Sequence, residues 1–175
     1  MKHQFILLSV PALIAPATVY AKVYLSVEQA QALMFPQTSL TPDFRTLTED
    51  QAKQIKRDSR VNVLNRELKA WRVAGGGWFI VDQVLGKHEF ITYAVGLDGQ
   101  GAVKQIEILE YRESYGDQIR NPQWRAQFYG KQHGATLKLD EDIKNISGAT
   151  LSCRHITDGV KRLLSTHALV LAPTG

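Results

Sequence analysis

Apolar and polar positions follow two different periods along this chain, and the period changes at Trp78. From there on, β-branched and aromatic residues form three runs separated by short turns that contain glycine. The runs cover residues 78–85, 88–97 and 102–111. Runs of this length and composition, divided by turn residues, predict three consecutive antiparallel strands that form a meander.

Helical patterns stand on both sides of the predicted meander. Two of them begin with a capping box, in which a Ser or Thr is followed three residues later by Gln: Ser26 with Gln29, and Thr48 with Gln51. We expect the first helix to end before Pro36 and the second, polar helix to run to about Ser59. A third helix is expected after Asn121-Pro122, since proline favours the first turn of a helix.

The last predicted helix begins at Thr150 and carries one apolar stripe. Its apolar residues are spaced i, i+4, i+7 and i+8, at Ile156, Val160, Leu163 and Leu164. A stripe of this kind predicts a helix that covers a core with one face. The order of helices, meander and helices predicts an α+β domain, with helices packed on an antiparallel sheet.

The first 21 residues have the pattern of a cleaved export signal. Lys2 precedes an apolar run over residues 5–19, and Ala21 stands at the expected cleavage position. The run is short for a bilayer span and contains two prolines. The sequence therefore predicts a signal peptide over residues 1–21, a single domain over residues 22–175, and a periplasmic location.

Charge and cysteine content exclude several classes of function. The chain has 21 Lys and Arg against 17 Asp and Glu, and no element collects the positive charge, so nucleic-acid binding is not expected. Cys153 is the only cysteine, which excludes an internal disulfide and a two-cysteine haem attachment site. The histidines lack metal-ligand spacing with acids or thiols. No metal site is predicted.

The segment Ser147-Gly148-Ala149-Thr150 directly precedes the last helix. Its small residues allow a bulky phosphate to approach the backbone, and a helix start offers free N–H groups and the positive end of the helix dipole. Alternatively, Ser147 only N-caps the helix, with Gly148 providing the turn. The segment by itself is compatible with both interpretations.

Other residues precede this segment in a specific order. Glu113-Ser114-Tyr115-Gly116 follows the third predicted strand, and the next helix region carries Trp124, Phe128 and Lys131. Together with the segment that ends at Thr150, this order resembles the FMN-binding domains of Rnf complexes and ion-pumping NADH:quinone oxidoreductases. The resemblance covers roughly residues 75–165.

The resemblance implies a covalent FMN, because in that family the last Thr of the signature is esterified to the FMN phosphate. This residue is Thr150 here, and a separate FAD-dependent flavin transferase would form the bond. The implied cofactor-binding residues are Ser147, Gly148, Ala149, Thr150, Glu113, Ser114, Tyr115, Gly116, Trp124, Phe128 and Lys131. No catalytic residue is assigned, since the isoalloxazine ring carries the redox chemistry.

The chain departs from the family pattern at two places. The family loop reads Glu-Thr-Pro-Gly-Leu-Gly, and here Tyr115, Asp117 and Gln118 replace its Pro, Leu and second Gly. The family signature also has an Asp three residues before its first Ser or Thr, where this chain has Lys144. The nearest upstream acid is Asp142. The first departure affects contacts with the flavin ring, and the second affects recognition by the transferase.

Several of the implied site residues also have a purely structural interpretation. The aromatic residues Tyr115, Trp124 and Phe128 either flank the flavin ring or belong to the core. Glu113 either accepts a hydrogen bond from the flavin or is a solvated acid at a strand end. Three basic residues either balance the phosphate or lie on a solvated face: Arg112, Arg125 and Lys131.

Three classes of function fit these features. The first is an exported electron-transfer module that exchanges electrons with a membrane or periplasmic redox partner. The second is a small flavin-dependent reductase, which needs a substrate pocket and a proton donor, and the sequence identifies neither. The third is a non-redox binding module that has lost its flavin. The chain has no Gly-rich strand-to-helix turn for NADH, which favours an electron carrier over a self-sufficient enzyme.

Overall fold

The computed structural model describes residues 22–172, so the predicted signal peptide lies outside the described residues. The fold is α+β, as the sequence predicts: a curled antiparallel sheet with α-helices packed on it. The seven strands are β1 (Lys22–Val23), β2 (Leu40–Pro42), β3 (Arg45–Thr46), β4 (Glu67–Val73), β5 (Trp78–Leu85), β6 (Phe90–Leu97) and β7 (Val103–Tyr111).

The sheet is built around the predicted meander. Its strand order is β1-β7-β6-β5-β4-β2, and β3 pairs with the other end of β4. The meander β5–β7 is confirmed to within two residues at each end, because strong apolar runs and glycine-containing turns define it locally. Strands β1 to β4 were not predicted. They extend the meander at both edges.

The four α-helices are α1 (Val27–Met34), α2 (Glu49–Ser59), α3 (Pro122–Arg125) and α4 (Thr150–Thr166). Both capping boxes are confirmed: the backbone N–H of Gln29 donates to Ser26 Oγ at 3.1 Å, and that of Gln51 donates to Thr48 Oγ1 at 3.1 Å. The helix predicted after Asn121-Pro122 is a single α-helical turn that continues as a 3₁₀ turn. Within residues 22–172, no helix is long and apolar enough to cross a bilayer.

The helices cover the two faces of the sheet unequally. The long helix α4 packs on one face together with α2, and its predicted apolar stripe is buried there. On the other face, the short helix α1 contributes Ala30 and Met34 to a smaller cluster with Phe79 and Leu109. The main core therefore lies under α4. This packing fixes the start of α4 beside the end of β7.

Candidate functional site

A surface cavity of about 460 Å³ opens where three segments meet. They are the β5–β6 turn at residues 87–88, the loop after β7 at residues 113–115, and the start of α4 at residues 148–152. The volume falls in the range of about 300–1,000 Å³ that is usual for small-molecule sites. The cavity thus joins the two predicted groups of site residues, the Glu113 loop and the Thr150 signature.

The start of α4 differs from the simple N-cap interpretation. The N-cap residue is Ala149, no side chain caps the helix, and Ser147 is exposed outside the cavity wall. The capping role considered for Ser147 is therefore wrong. Gly148 has a φ of 83°, in the left-handed region that glycine adopts without strain. The first-turn N–H groups of α4 consequently have no side-chain acceptor.

Thr150 lines the cavity, and Asn145 holds its hydroxyl. Asn145 Nδ2 donates to Thr150 Oγ1 at 3.0 Å. The other amide atom, Asn145 Oδ1, is buried and has no hydrogen-bond partner among the described residues. Asn145 was not predicted as a site residue, because a side-chain contact between residues five positions apart has no sequence signature. The side-chain amide of Asn145 therefore orients the Thr150 side chain, and its Oδ1 remains an unused hydrogen-bond acceptor in the described part of the chain.

Tyr111, at the end of β7, connects the loop after β7 to the start of α4 through hydrogen bonds. Its buried hydroxyl donates to the carbonyl of Tyr115 and receives a hydrogen bond from Ser152 Oγ, with 2.9 Å between the two oxygens. The predicted site residue Gly116 lies behind this network, with a φ of 100°. A Cβ at Gly116 would lie 2.6 Å from the Tyr111 hydroxyl and 2.7 Å from Ser152 Oγ. Gly116 therefore makes room for the network and does not line the cavity.

Glu113 lines the cavity and is not simply a solvated acid at a strand end. Its carboxylate accepts backbone N–H groups from the β5–β6 turn, including that of Glu89 at 3.0 Å and that of His88. Burial alone would raise the pKa of Glu113, but these hydrogen bonds outweigh burial and lower the pKa. Glu113 fixes the turn against the loop, so that Lys87 and His88 form part of the cavity wall.

The structure does not bring Trp124, Phe128 and Lys131 to this cavity. Trp124 is 4% exposed and Phe128 is fully buried, and their rings pack edge to face at 5.2 Å in the core. Trp124 Nε1 donates to the carbonyl of Lys144 at 2.8 Å, which supports the segment before the signature. Both aromatic residues are core residues here. Only Tyr115 of the three aromatics is exposed at the cavity, at 85%.

The basic residues considered as phosphate partners are engaged in ion pairs elsewhere. Arg112 pairs with Glu110, Arg125 pairs with Glu107, and Lys131 pairs with Asp142 at 2.9 Å. The cation in the cavity wall is Lys87, with His88 beside it. The sequence analysis treated Lys87 only as part of a turn, since a charged residue in a hairpin turn is common and its neighbours become visible only in the fold.

Asp142, the nearest acid upstream of the signature, organises the preceding loop. Its carboxylate accepts the backbone N–H groups of Leu137 at 3.1 Å and Lys138 at 2.8 Å, in addition to Lys131 Nζ. Burial raises the pKa of Asp142, but the hydrogen bonds and Lys131 outweigh burial and the pKa is lowered. The carboxylate is therefore ionised and committed to this loop.

Comparison with protein-family models matches residues 86–165 to the FMN-binding domain. The matched span contains every residue that lines the cavity. No curated protein matches the chain.

Proposed function

Since residues 86–165 belong to the FMN-binding domain family, we propose that this protein is an exported electron-transfer module whose FMN is attached through a phosphoester to Thr150 Oγ1. The observation that carries the proposal is that Thr150 lines a ligand-sized cavity at the start of α4. FMN would supply the electron-transfer chemistry, and the protein would supply position and electrostatics.

The start of α4 suits a phosphate group. Its first-turn N–H groups have no side-chain cap, and the positive end of the helix dipole favours an anion. Gly148 and Ala149 have no side chain large enough to obstruct the approach. Asn145 Nδ2 donates to the Thr150 hydroxyl oxygen and so holds this side chain in place.

Thr150 would act as a tether. Among the described residues its only side-chain hydrogen-bond partner is Asn145, and no acid or histidine contacts the hydroxyl to remove its proton. A separate FAD-dependent flavin transferase would therefore have to activate Thr150 during maturation. We assign no catalytic residue in this chain.

The rest of the cavity suits an aromatic ring that becomes negatively charged. The ring of Tyr115 is exposed at the mouth and can cover one face of a flavin. Lys87 provides positive charge, which would stabilise a reduced, anionic flavin. Glu113 would act indirectly, by holding the turn that carries Lys87.

Replacing Glu113 by Ala should loosen the β5–β6 turn and change the flavin environment. Loss of hydrogen bonds to a charged acceptor should accelerate amide hydrogen exchange at residues 88–89 by roughly tenfold. The flavin absorption maximum or midpoint potential should shift in the loaded protein, while the fold remains intact. Glu89→Ala is the matched control, since its exposed side chain lies on the same turn. Unchanged exchange in Glu113→Ala would reject this role.

The hydrogen bonds between the Glu113 carboxylate and the β5–β6 turn should depend on pH. Folding lowers the pKa of Glu113 from 4.5, so the stabilisation it provides is complete above pH 4.5 and is lost as the pH falls through the lower, folded-state value. Glu113→Ala should therefore remove the acid-induced loss of amide protection at residues 88–89, with each exchange rate taken relative to the intrinsic rate at the same pH. An equal loss of protection in the parent protein and the variant would mean that another group controls the turn.

Export is the second part of the proposal, and the N-terminal sequence pattern supports it. Co-expression with a flavin transferase should yield a yellow protein in the released periplasmic fraction, with Lys22 as its first residue. Recovery of Met1 in membrane pellets would indicate a tethered subunit. A colourless protein, exported in the presence of the transferase, would favour a non-redox binding module.

A further inference from the structure

A second cavity, larger than the proposed flavin site, is separate from it. It measures about 680 Å³ and lies along α4 beyond its first turn. Its other walls come from the segment after α2, the end of β5 and the loop at residues 137–140. The two cavities share no residue.

We propose that this second cavity binds a small organic anion: a carboxylate with an apolar body. The proposal does not depend on the flavin. Two observations carry it, an apolar lining of ligand size and an excess of cationic side chains without an acid partner.

The apolar part of the lining comes from three walls. Its larger side chains are Val61, Leu64, Val84, Leu85, Leu137 and Leu139. Leu64 is 59% exposed and Leu85 is 46% exposed, although both border the cavity. Covering these side chains with an apolar ligand would remove their surface from water, which favours binding.

The cationic part of the lining is Arg60, Arg154 and Lys161, none of which forms an ion pair within residues 22–172. Two further cations in the wall are already paired: Lys138 with Glu141, and Arg162 with Asp82. Asp140 and Asp158 also line the cavity and oppose an anion. The unpaired cations outnumber these two acids.

Asp158, in the wall of the cavity, lies near several basic groups. Burial raises the pKa of Asp158, even though Arg154, Lys161, Arg162 and His155 all act to lower it. Four cationic or titratable basic groups thus act on this position. A carboxylate placed here would lie among these basic groups.

A ligand in this cavity would lie close to the proposed flavin tether. Leu151 borders the flavin cavity and His155 borders the second one, on the same helix. With a rise of about 1.5 Å per residue, these two positions are about 6 Å apart along the helix axis. The second cavity is therefore within about one helical turn of the first.

The test uses three probes with the same naphthalene body: 1-naphthoate, neutral 1-naphthalenemethanol and cationic 1-naphthylmethylammonium. Each is titrated into the mature protein without flavin, by calorimetry and by mapping of amide chemical shifts. We expect 1-naphthoate to bind most tightly and to shift amides of residues 154–162. Equal binding of all three probes, preference for the cation, no binding, or shifts elsewhere would overturn the proposal.

Removing a positive charge and removing a negative charge from the cavity wall should change the affinity for 1-naphthoate in opposite directions. Arg154→Gln and Lys161→Gln should each weaken 1-naphthoate binding roughly threefold to tenfold, whereas Asp158→Asn should strengthen it by a similar factor. Lys53→Gln, on the exposed side of α2, is the matched control and should have no effect. Weaker binding in Asp158→Asn would overturn the proposal. Since the protein carries no flavin in this assay, the result is independent of whether Thr150 is the flavin tether.

Discussion

Thr150→Ala should carry no covalent flavin after co-expression with a flavin transferase, whereas Ser147→Ala should be labelled like the parent protein. Thr150 lines the cavity at the start of α4, and Ser147 is exposed outside it. The measurement is flavin fluorescence in a denaturing gel, which only a covalent adduct survives. We expect the signal to fall to background in Thr150→Ala.

The neighbouring hydroxyl in the cavity provides the stricter control. Ser152 lies two residues further along α4 and also lines the cavity, but its Oγ donates to the Tyr111 hydroxyl. Ser152→Ala should therefore retain the label, with a modest loss of stability of about 1 kcal/mol from the missing hydrogen bond. Labelled Thr150→Ala together with unlabelled Ser152→Ala would mean that Ser152 is the acceptor.

The flavin-loaded protein should be reduced slowly by NADH alone and cycle rapidly when its redox partner is supplied. The sequence has no Gly-rich turn that would bind the NADH pyrophosphate. Docking of a specific partner should therefore accelerate reduction, by on the order of 100-fold when electrostatic attraction guides the encounter. Membrane vesicles from cells that naturally produce the protein are a suitable source of the partner, and flavin bleaching in stopped flow is the measurement.

Heat-treated vesicles are the control for that experiment, because they retain the lipid surface and lose the partner proteins. Steady NADH-dependent turnover by the purified protein alone would contradict the electron-carrier proposal. It would favour a flavin-dependent reductase, which the sequence analysis kept as an alternative. The second cavity on α4 would then be the first place to search for a bound substrate.

The parts of the fold that the sequence predicts are those with strong local signals. The meander β5–β7 has long apolar runs and turn residues, and helices α1 and α2 have capping boxes. Strands β1 to β3 are two or three residues long, which is too short for a periodic pattern. Strand β4 alternates buried and exposed residues, but Glu67, Lys69 and Arg72 occur in it, and charged residues are unfavourable in strands.

The candidate site, like the fold, could be predicted from the sequence only where a local pattern marks its residues. The family resemblance placed the Glu113 loop and the Thr150 signature in one predicted site, and in the fold both segments line one cavity. Trp124 and Phe128 could not be assigned from the sequence, because aromatic residues at helical spacing serve equally well as core. The role of Asn145 depends on a side-chain contact with Thr150 that forms only in the folded loop.

The hydrogen bonds that Glu113 forms could not be predicted from the sequence. The sequence places an acid at the end of the third meander strand, where it could face either a ligand or solvent. The fold brings the β5–β6 turn within reach, and two backbone N–H groups of that turn bind the carboxylate. Strand pairing between β6 and β7 creates this proximity, and neither strand indicates it alone.

The most direct test of the central claim is the intact mass of the mature protein recovered from its native compartment, measured under denaturing conditions. We expect the mass of residues 22–175 plus one FMN less one water, and fragmentation should locate the added mass on Thr150. The unmodified mass, from cells in which a flavin transferase is active, would contradict covalent attachment of FMN.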